Sequence, residues 1–252
     1  MTEGAPLLEL RGVSKAFGAV RALDGVNFTV PAGKVTALAG DNGAGKSVTI
    51  KTISGLWQPT EGQILWEGEP VRFHSPNDAE ARGITTIYQD LALCDNLDIV
   101  QNMFLGHETL RHGLLDESAM ELEARKILAD LHVTTVRSIR QPVASLSGGQ
   151  RQSVAVAKAV MSAAKLVIMD EPTAALGVAQ TGQVLELIKR LSSQGTAVLV
   201  ISHNLNDVFQ VADQISILYL GRMVASGPAE EFDREVVVDY MTSGQSSRAV
   251  AG

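Results

Sequence analysis

The sequence predicts an α/β fold built on a largely parallel sheet, and three observations carry that prediction. Short apolar runs alternate with stretches of helical periodicity. A glycine-rich octapeptide, Gly40–Ser47, separates one such run from a helix. Another run, Leu166–Met169, ends on two adjacent carboxylates, Asp170 and Glu171.

Taken in chain order, Lys34–Ala39 reads as a strand, Gly40–Lys46 as a glycine loop and Ser47–Leu56 as a helix. The texture changes between Asn96 and Met161. Ser118–Leu131 and Gly149–Ala163 read there as amphipathic helices with few strand-like runs between them, so residues 90–163 read as a helical insertion in the α/β core. Leu166–Met169 and Ala197–Ser202 are short, β-branched and bounded by turn residues, the pattern of buried strands. Between them Gln180–Ser192 carries Val184, Leu187, Ile188 and Leu191 at helical spacing, with Lys189 and Arg190 near its C-terminal end. Gly195 lies in the turn to the next strand, and Asp213–Gly227 reads as a β-hairpin around Leu220-Gly221-Arg222. Gly244–Gly252 is small and polar and is expected to fray. There is no repeat at solenoid spacing and no second glycine loop.

The chain has 252 residues, enough for one large domain or two small ones, with 45% hydrophobic and 19% charged residues as in ordinary globular proteins. Its net charge of −7 weighs against a nucleic-acid partner, which more often meets a basic surplus. Cys94 is the only cysteine, so neither an intramolecular disulfide nor a cysteine-built zinc site is available. The first residues lack a basic stretch followed by a long apolar core, and the longest aliphatic runs stop far short of the ~20 residues of a membrane span.

Gly40-Asp41-Asn42-Gly43-Ala44-Gly45-Lys46-Ser47 fits the phosphate-binding pattern G-x-x-x-x-G-K-S/T. Such glycines let consecutive N–H groups turn inward around a phosphate, and the following helix points its positive end at the same anion. Lys46 is then expected to reach the β and γ phosphates of ATP, and the Ser47 hydroxyl to hold Mg²⁺. Asp170 and Glu171 would sit at the C-terminal edge of the sheet, where open α/β sheets bind ligands. Asp170 is expected to orient Mg²⁺ through its water shell and Glu171 to polarise the attacking water. Leu146-Ser147-Gly148-Gly149-Gln150 is a second anion cradle ahead of a helix, or alternatively a serine N-cap with two turn glycines.

That last pentapeptide resembles the signature sequence of ABC ATPases, and the order of the motifs is similar to that family from Leu7 to about Met241. The resemblance implies a P-loop NTPase core with a mixed, largely parallel sheet, an antiparallel β subdomain and an inserted α-helical subdomain. It implies one ATP-binding domain over residues 1–243, with 244–252 a disordered tail. Gln89 matches the glutamine that senses Mg²⁺ and links core to insertion, and His203 the switch histidine that contacts the γ-phosphate. Phe17 matches the aromatic that stacks on adenine. In this family the signature Ser147, Gly148, Gly149 and Gln150 face the nucleotide held by a second subunit, so one cassette implies a homodimer around ATP and Mg²⁺.

Two positions depart from the family. Val48 replaces a hydroxyl residue that touches the α-phosphate, a loss on the order of 1 kcal/mol. Gly177 stands where the loop after Glu171-Pro172-Thr173 usually ends in aspartate, which puts communication across the dimer in question.

Three classes compete: an importer motor, a soluble ABC ATPase acting on ribosomes or DNA, and a regulator with little hydrolysis. The single cassette, the lone cysteine, and the presence of both Glu171 and His203 favour the importer. The segments Val71–Ala79, Gly83–Gln89, Asn102–Gly106 and Ile201–Asn204 resemble the monosaccharide branch. The short chain after the hairpin is expected to leave no room for a C-terminal regulatory domain. The implied partners are a polytopic membrane permease and, indirectly, a periplasmic or extracellular sugar-binding protein. The implied location is the cytoplasmic face of the membrane.

Overall fold

The computed structural model describes residues 6–133, 135–161, 164–174 and 176–246. Its first half runs β1 (Leu8–Phe17), β2 (Val20–Val30), β3 (Val35–Ala39), α1 (Lys46–Ile53), β4 (Glu61–Trp66), β5 (Glu69–Val71), α2 (Pro76–Glu80) and β6 (Ile84–Ile87). It continues with α3 (Ile99–Phe104), β7 (Leu110–Arg111), β8 (Leu114–Leu115), α4 (Glu117–Asp130) and α5 (Gly148–Met161). The last part is β9 (Leu166–Asp170), α6 (Val178–Ser193), β10 (Ala197–Ile201), α7 (Leu205–Val211), β11 (Gln214–Tyr219), β12 (Arg222–Pro228) and α8 (Arg234–Ser243).

Two sheets form the body. One is antiparallel, in the order β2-β1-β4-β5. The other has the order β12-β11-β3-β10-β9-β6, parallel from β11 to β6 with β12 antiparallel at one edge. Alternation along the central strands assigns them to two layers. Val167, Met169, Val198 and Val200 face a cluster shared with α3, α4, α5 and α6. Leu166, Ile168, Leu199 and Ile201 face the opposite cluster, which includes the inner residues of β1, β2 and β4 together with α1. A third cluster joins β11 to α7 and α8.

The strands anticipated at Lys34–Ala39, Leu166–Met169 and Ala197–Ser202 form within a residue of those bounds, and the late hairpin is β11–β12. The helix after the glycine loop ends earlier than expected, at Ile53 rather than Leu56. Gly55 explains this: its φ of 75° is left-handed, and a Cβ there would lie 2.6 Å from the Ser75 carbonyl oxygen. No strand was anticipated between Asn96 and Met161, yet β7 and β8 form a small hairpin whose turn residues His112 and Gly113 both have positive φ. α5 is buried at every position from Gln152 to Ala157. It serves as the hub against which α3, α4 and α6 pack. Ser162 and Ala163 at its anticipated end, Ala175, and residues 247–252 of the expected tail lie outside the described residues. Among the described residues no helix is long and apolar enough to cross a membrane.

Candidate active site

The parallel strands deliver four loops to one edge. β3 runs into Gly40–Gly45, β9 ends at Asp170, β10 is followed by Ser202 and His203, and β6 by Tyr88 and Gln89. The register aligns them: Ile201 lies opposite Asp170 and Leu38, and Ile87 opposite Met169.

The glycine loop owes its shape to residues that only glycine tolerates. Gly43 and Gly45 have φ of 82° and 109°. A Cβ on Gly40 would lie 2.5 Å from the Leu218 carbonyl oxygen of β11. Lys46 is buried, and its Nζ donates to the carbonyl oxygens of Gly40 at 2.7 Å and Asp41 at 3.0 Å. An ammonium has three donors, so one N–H is left for an anion. Ser47 is exposed at the start of α1. A cleft of about 420 Å³ opens over the loop, lined by Asp41, Asn42, Gly43, Gly45, Lys46, Ser47 and Val48. Ala44 points away and is buried in the cluster under α1.

The far wall of that cleft was not legible in the sequence. It comes from Val20, Arg21 and Ala22 on β2 and from Leu220 and Gly221 in the β11–β12 turn. Gly221 N donates to the Ala44 carbonyl oxygen at 2.8 Å, and Asp24 N to that of Gly221 at 2.9 Å. Asp24 also accepts from Arg21 at 2.7 Å and Arg222 at 2.6 Å, so β2, the hairpin turn and the glycine loop are fastened together. Phe17, the residue matched to adenine stacking, does not line the cleft. Its ring meets Trp57 edge-on at 4.8 Å, while its cross-strand partner Val20 faces the cleft.

Asp170 is half-buried. Loss of hydration and then the neighbouring Glu171 charge push its carboxyl above the usual aspartate range, against a pull from Lys46 and Lys51. Glu171 has a left-handed φ of 48°, held by its N–H donating to the Ile201 carbonyl oxygen at 2.9 Å. For a non-glycine residue that conformation is a strained one, of the kind found at functional sites. Its carboxylate Oε1 lies 2.8 Å from His203 Nδ1, and Ser202 Oγ donates to Oε2 at 3.4 Å. The Glu171 side chain is 14% exposed and that of His203 61%, so the carboxylate is recessed behind an accessible ring. Gln89 is exposed just past the end of β6, beside this pair of loops.

The second glycine motif stands elsewhere. Ser147 and Gln150 form a reciprocal cap at the start of α5, Ser147 N donating to Gln150 Oε1 at 2.9 Å and Gln150 N to Ser147 Oγ at 3.4 Å. Gly148 and Gly149 let this turn pack closely, since a Cβ would lie 2.8 Å from Leu176 Cδ2 and 3.0 Å from Gln180 Cβ respectively. None of Ser147, Gly148, Gly149 and Gln150 lines the cleft over Lys46. One chain thus assembles the phosphate loop, the carboxylates, His203 and Gln89 at one edge, and presents its second cradle at a separate place.

Residues 23–174 match the ABC transporter family. The chain belongs to that family. This ABC cassette is 48% identical to the xylose/arabinose import ATP-binding protein XylG of Sulfolobus acidocaldarius, over 94% of each chain. It is 47% identical to the fructose import ATP-binding protein FrcA of Rhizobium meliloti, over 95% of each. The ribose import ATP-binding protein RbsA 1 of Agrobacterium fabrum is 41% identical, and this chain spans 50% of its length. Among solved structures, an ATP-binding cassette of an ABC transporter superposes with a TM-score of 0.83 at 27% identity, covering 94% of this chain and 96% of that one. A nucleotide-free cassette gives 0.78 at 27% identity, covering 89% and 92%. The cassette is a nucleotide-binding ATPase with an α/β P-loop core, a mixed sheet and a separate antiparallel sheet.

Proposed function

We propose that this cassette is the ATP-hydrolysing subunit of a sugar importer, with a monosaccharide as cargo. The observation that carries the hydrolytic half is the recessed Glu171 carboxylate, 2.8 Å from His203 at the same sheet edge as Lys46. The cargo class rests on relatives named for xylose, arabinose, fructose and ribose import. On this reading residues 1–243 are one ATP-binding domain, with the helical segment of about 90–163 inserted in it.

In the proposed mechanism the amides of Gly40–Ser47 and the free N–H of Lys46 cradle the ATP phosphates. Val48 adds its backbone amide to the nucleotide contacts, and Phe17, which lies outside the phosphate cleft against Trp57, is assigned to an adenine extending beyond that cleft. The donor set suits Mg²⁺: Ser47 Oγ, Gln89 and Asp170 offer hard oxygens on loops at the same sheet edge. Phosphate and water oxygens would supply the remaining ligands of the ion. When bound, the ion would neutralise charge on the phosphates. Glu171 orients a water toward the γ-phosphorus and draws its proton as the bond to the departing ADP breaks. The accessible His203 ring positions the γ-phosphate.

Two cassettes close on two ATP molecules, and Ser147, Gly148, Gly149 and Gln150 of each complete the site of the other. Closure moves the helical segment, and the surface around the exposed Gln89 transmits that motion to a polytopic permease. Hydrolysis then resets the machine and makes the step one-way. The cassette lies peripherally at the cytoplasmic face of the membrane, and a periplasmic or extracellular binding protein selects the sugar. The net charge of −7 weighs against a nucleic-acid partner.

The test is a pull-down of tagged Glu171→Gln with MgATP from gently solubilised native membranes. A polytopic permease is the expected companion. Recovery of only soluble partners, ribosomes or DNA would overturn the importer reading and leave the ATPase.

A further inference from the structure

We propose that Asp207 is a positioning residue that locks the turn carrying Glu171 to the turn carrying His203 through one buried carboxylate oxygen. The proposal rests on the reading of Glu171 and His203 as the hydrolytic pair. Asp207 is 5% exposed, in the first turn of α7, and is not part of any motif that pointed to ATP. Its Oδ2 accepts the Thr173 hydroxyl at 2.6 Å and the Asn204 side-chain amide at 3.0 Å. Thr173 is itself buried, two residues beyond Glu171 in a turn closed by Ala174 N donating to the Glu171 carbonyl oxygen at 3.0 Å. Asn204 directly follows His203. Its N–H donates to Ser202 Oγ at 3.0 Å, the hydroxyl that also reaches Glu171.

Five residues therefore form a ring that includes Glu171: Glu171 and Thr173 on one turn, Ser202 and Asn204 on the other, with Asp207 closing it from α7. The upper contacts are exposed on the His203 side and long at Ser202. The Asp207–Thr173 contact is short and buried and the Asn204 contact half-buried, surroundings in which a hydrogen bond is stronger than at the surface. Strain at Glu171 sharpens the need for such a tie, because a residue held at a φ of 48° relaxes when its turn is released. The hydrogen bonds of this ring involve no residue of Gly40–Ser47, so its loss is expected to act on the rate of hydrolysis and not on ATP capture.

The experiment compares wild type, Asp207→Ala, Asp207→Asn, Thr173→Val and the double variant Asp207→Ala/Thr173→Val in full-length protein with its membrane partners. A displaced catalytic group costs on the order of tenfold to a hundredfold in kcat, and that is the expected loss for Asp207→Ala. KM for ATP is expected to stay within about twofold of wild type, the mark of an interaction that serves the transition state. Asp207→Asn keeps an acceptor oxygen and is expected to recover most of the rate. The double variant is expected to be no slower than the worse single one, because both changes break the same bond. Hydrogen–deuterium exchange gives a readout that is independent of turnover: Thr173→Val should speed exchange in residues 202–207 as well as in its own turn.

An unchanged kcat in folded Asp207→Ala, additive losses, an Asn variant no better than Ala, or exchange confined to the mutated turn would each overturn the proposal. Should Asp207→Ala fail to fold, Thr173→Val carries the test. A Glu171→Gln control separates the two ideas. If it still hydrolyses ATP, the hydrolytic reading itself fails, whatever the exchange data say.

Discussion

Asp170 sits half-buried beside Glu171, and both its lost hydration and that neighbour favour its neutral form. The stability consequence has a definite sign. Below the ordinary aspartate range the carboxyl is protonated in folded and unfolded chains alike, and no penalty exists. As pH rises toward the raised folded-state value, the unfolded chain releases its proton first and stability falls; above that value the loss is complete. Asp170→Asn is therefore expected to raise the melting temperature at pH 7, with the gain disappearing in acid, while ATP hydrolysis is lost. Calorimetry across pH checks this, and an equal gain at every pH would count against it. Asp170 and Glu171 stood out in the sequence because they end an apolar run, whereas His203, two residues past the next run, was singled out through the resemblance to the ABC family. Val20, Leu220 and Gly221 were not. They reach the cleft through sheet pairing across residues far apart in sequence, and nothing in their local surroundings announces it. Asp207 was hidden for the same reason, since its partner Thr173 belongs to another loop.

At the scale of elements, the cap signals were a guide only in part: of the helices that follow Ser75, Asp98, Asp116 and Asp233, only α4 was anticipated from the sequence. Ser75, Asp98, Asp116 and Asp233 each accept from an amide in the first turn of the helix they precede, and such residues mark helix starts. α6 starts differently. Gly177 precedes it with φ −73° and ψ 162°, and its N–H donates to Gln180 Oε1 at 3.3 Å. The aspartate that resembling chains carry there would supply the missing acceptor. The position is open, since a Cβ would meet nothing within 4 Å. Gly177→Asp is expected to stabilise the fold by a few tenths to about 1 kcal/mol, measurable in denaturant unfolding. It is also expected to alter the cooperativity of hydrolysis more than the affinity for ATP; an unchanged rate and Hill slope would contradict that. The early stop of α1 and the β7–β8 hairpin were less legible. One depends on Gly55 approaching the Ser75 backbone, and the other on a two-residue turn whose flanking strands are only two residues each.

On the scale of the whole molecule, the Ser147–Gln150 turn stands apart from the cleft over Lys46, and the proposed role of that turn in completing a partner's site calls for two chains. Glu171→Gln is expected to sediment and scatter light as a dimer with MgATP and as a monomer without nucleotide. A strictly monomeric variant, alone and with its partners, would defeat the two-chain mechanism. The order of the large sheet has another consequence, in the making of the protein. The strand that leads into the phosphate loop, residues 35–39, lies between residues 197–201 and 214–219. During translation at about 5–20 residues per second, it leaves the ribosome roughly ten to thirty seconds before its first sheet partner exists. The antiparallel sheet can close early, from residues 8–71 alone. The sheet that carries the phosphate loop closes only once residues 197–219 have been made, and until then the strand ahead of that loop is an apolar edge in need of shelter.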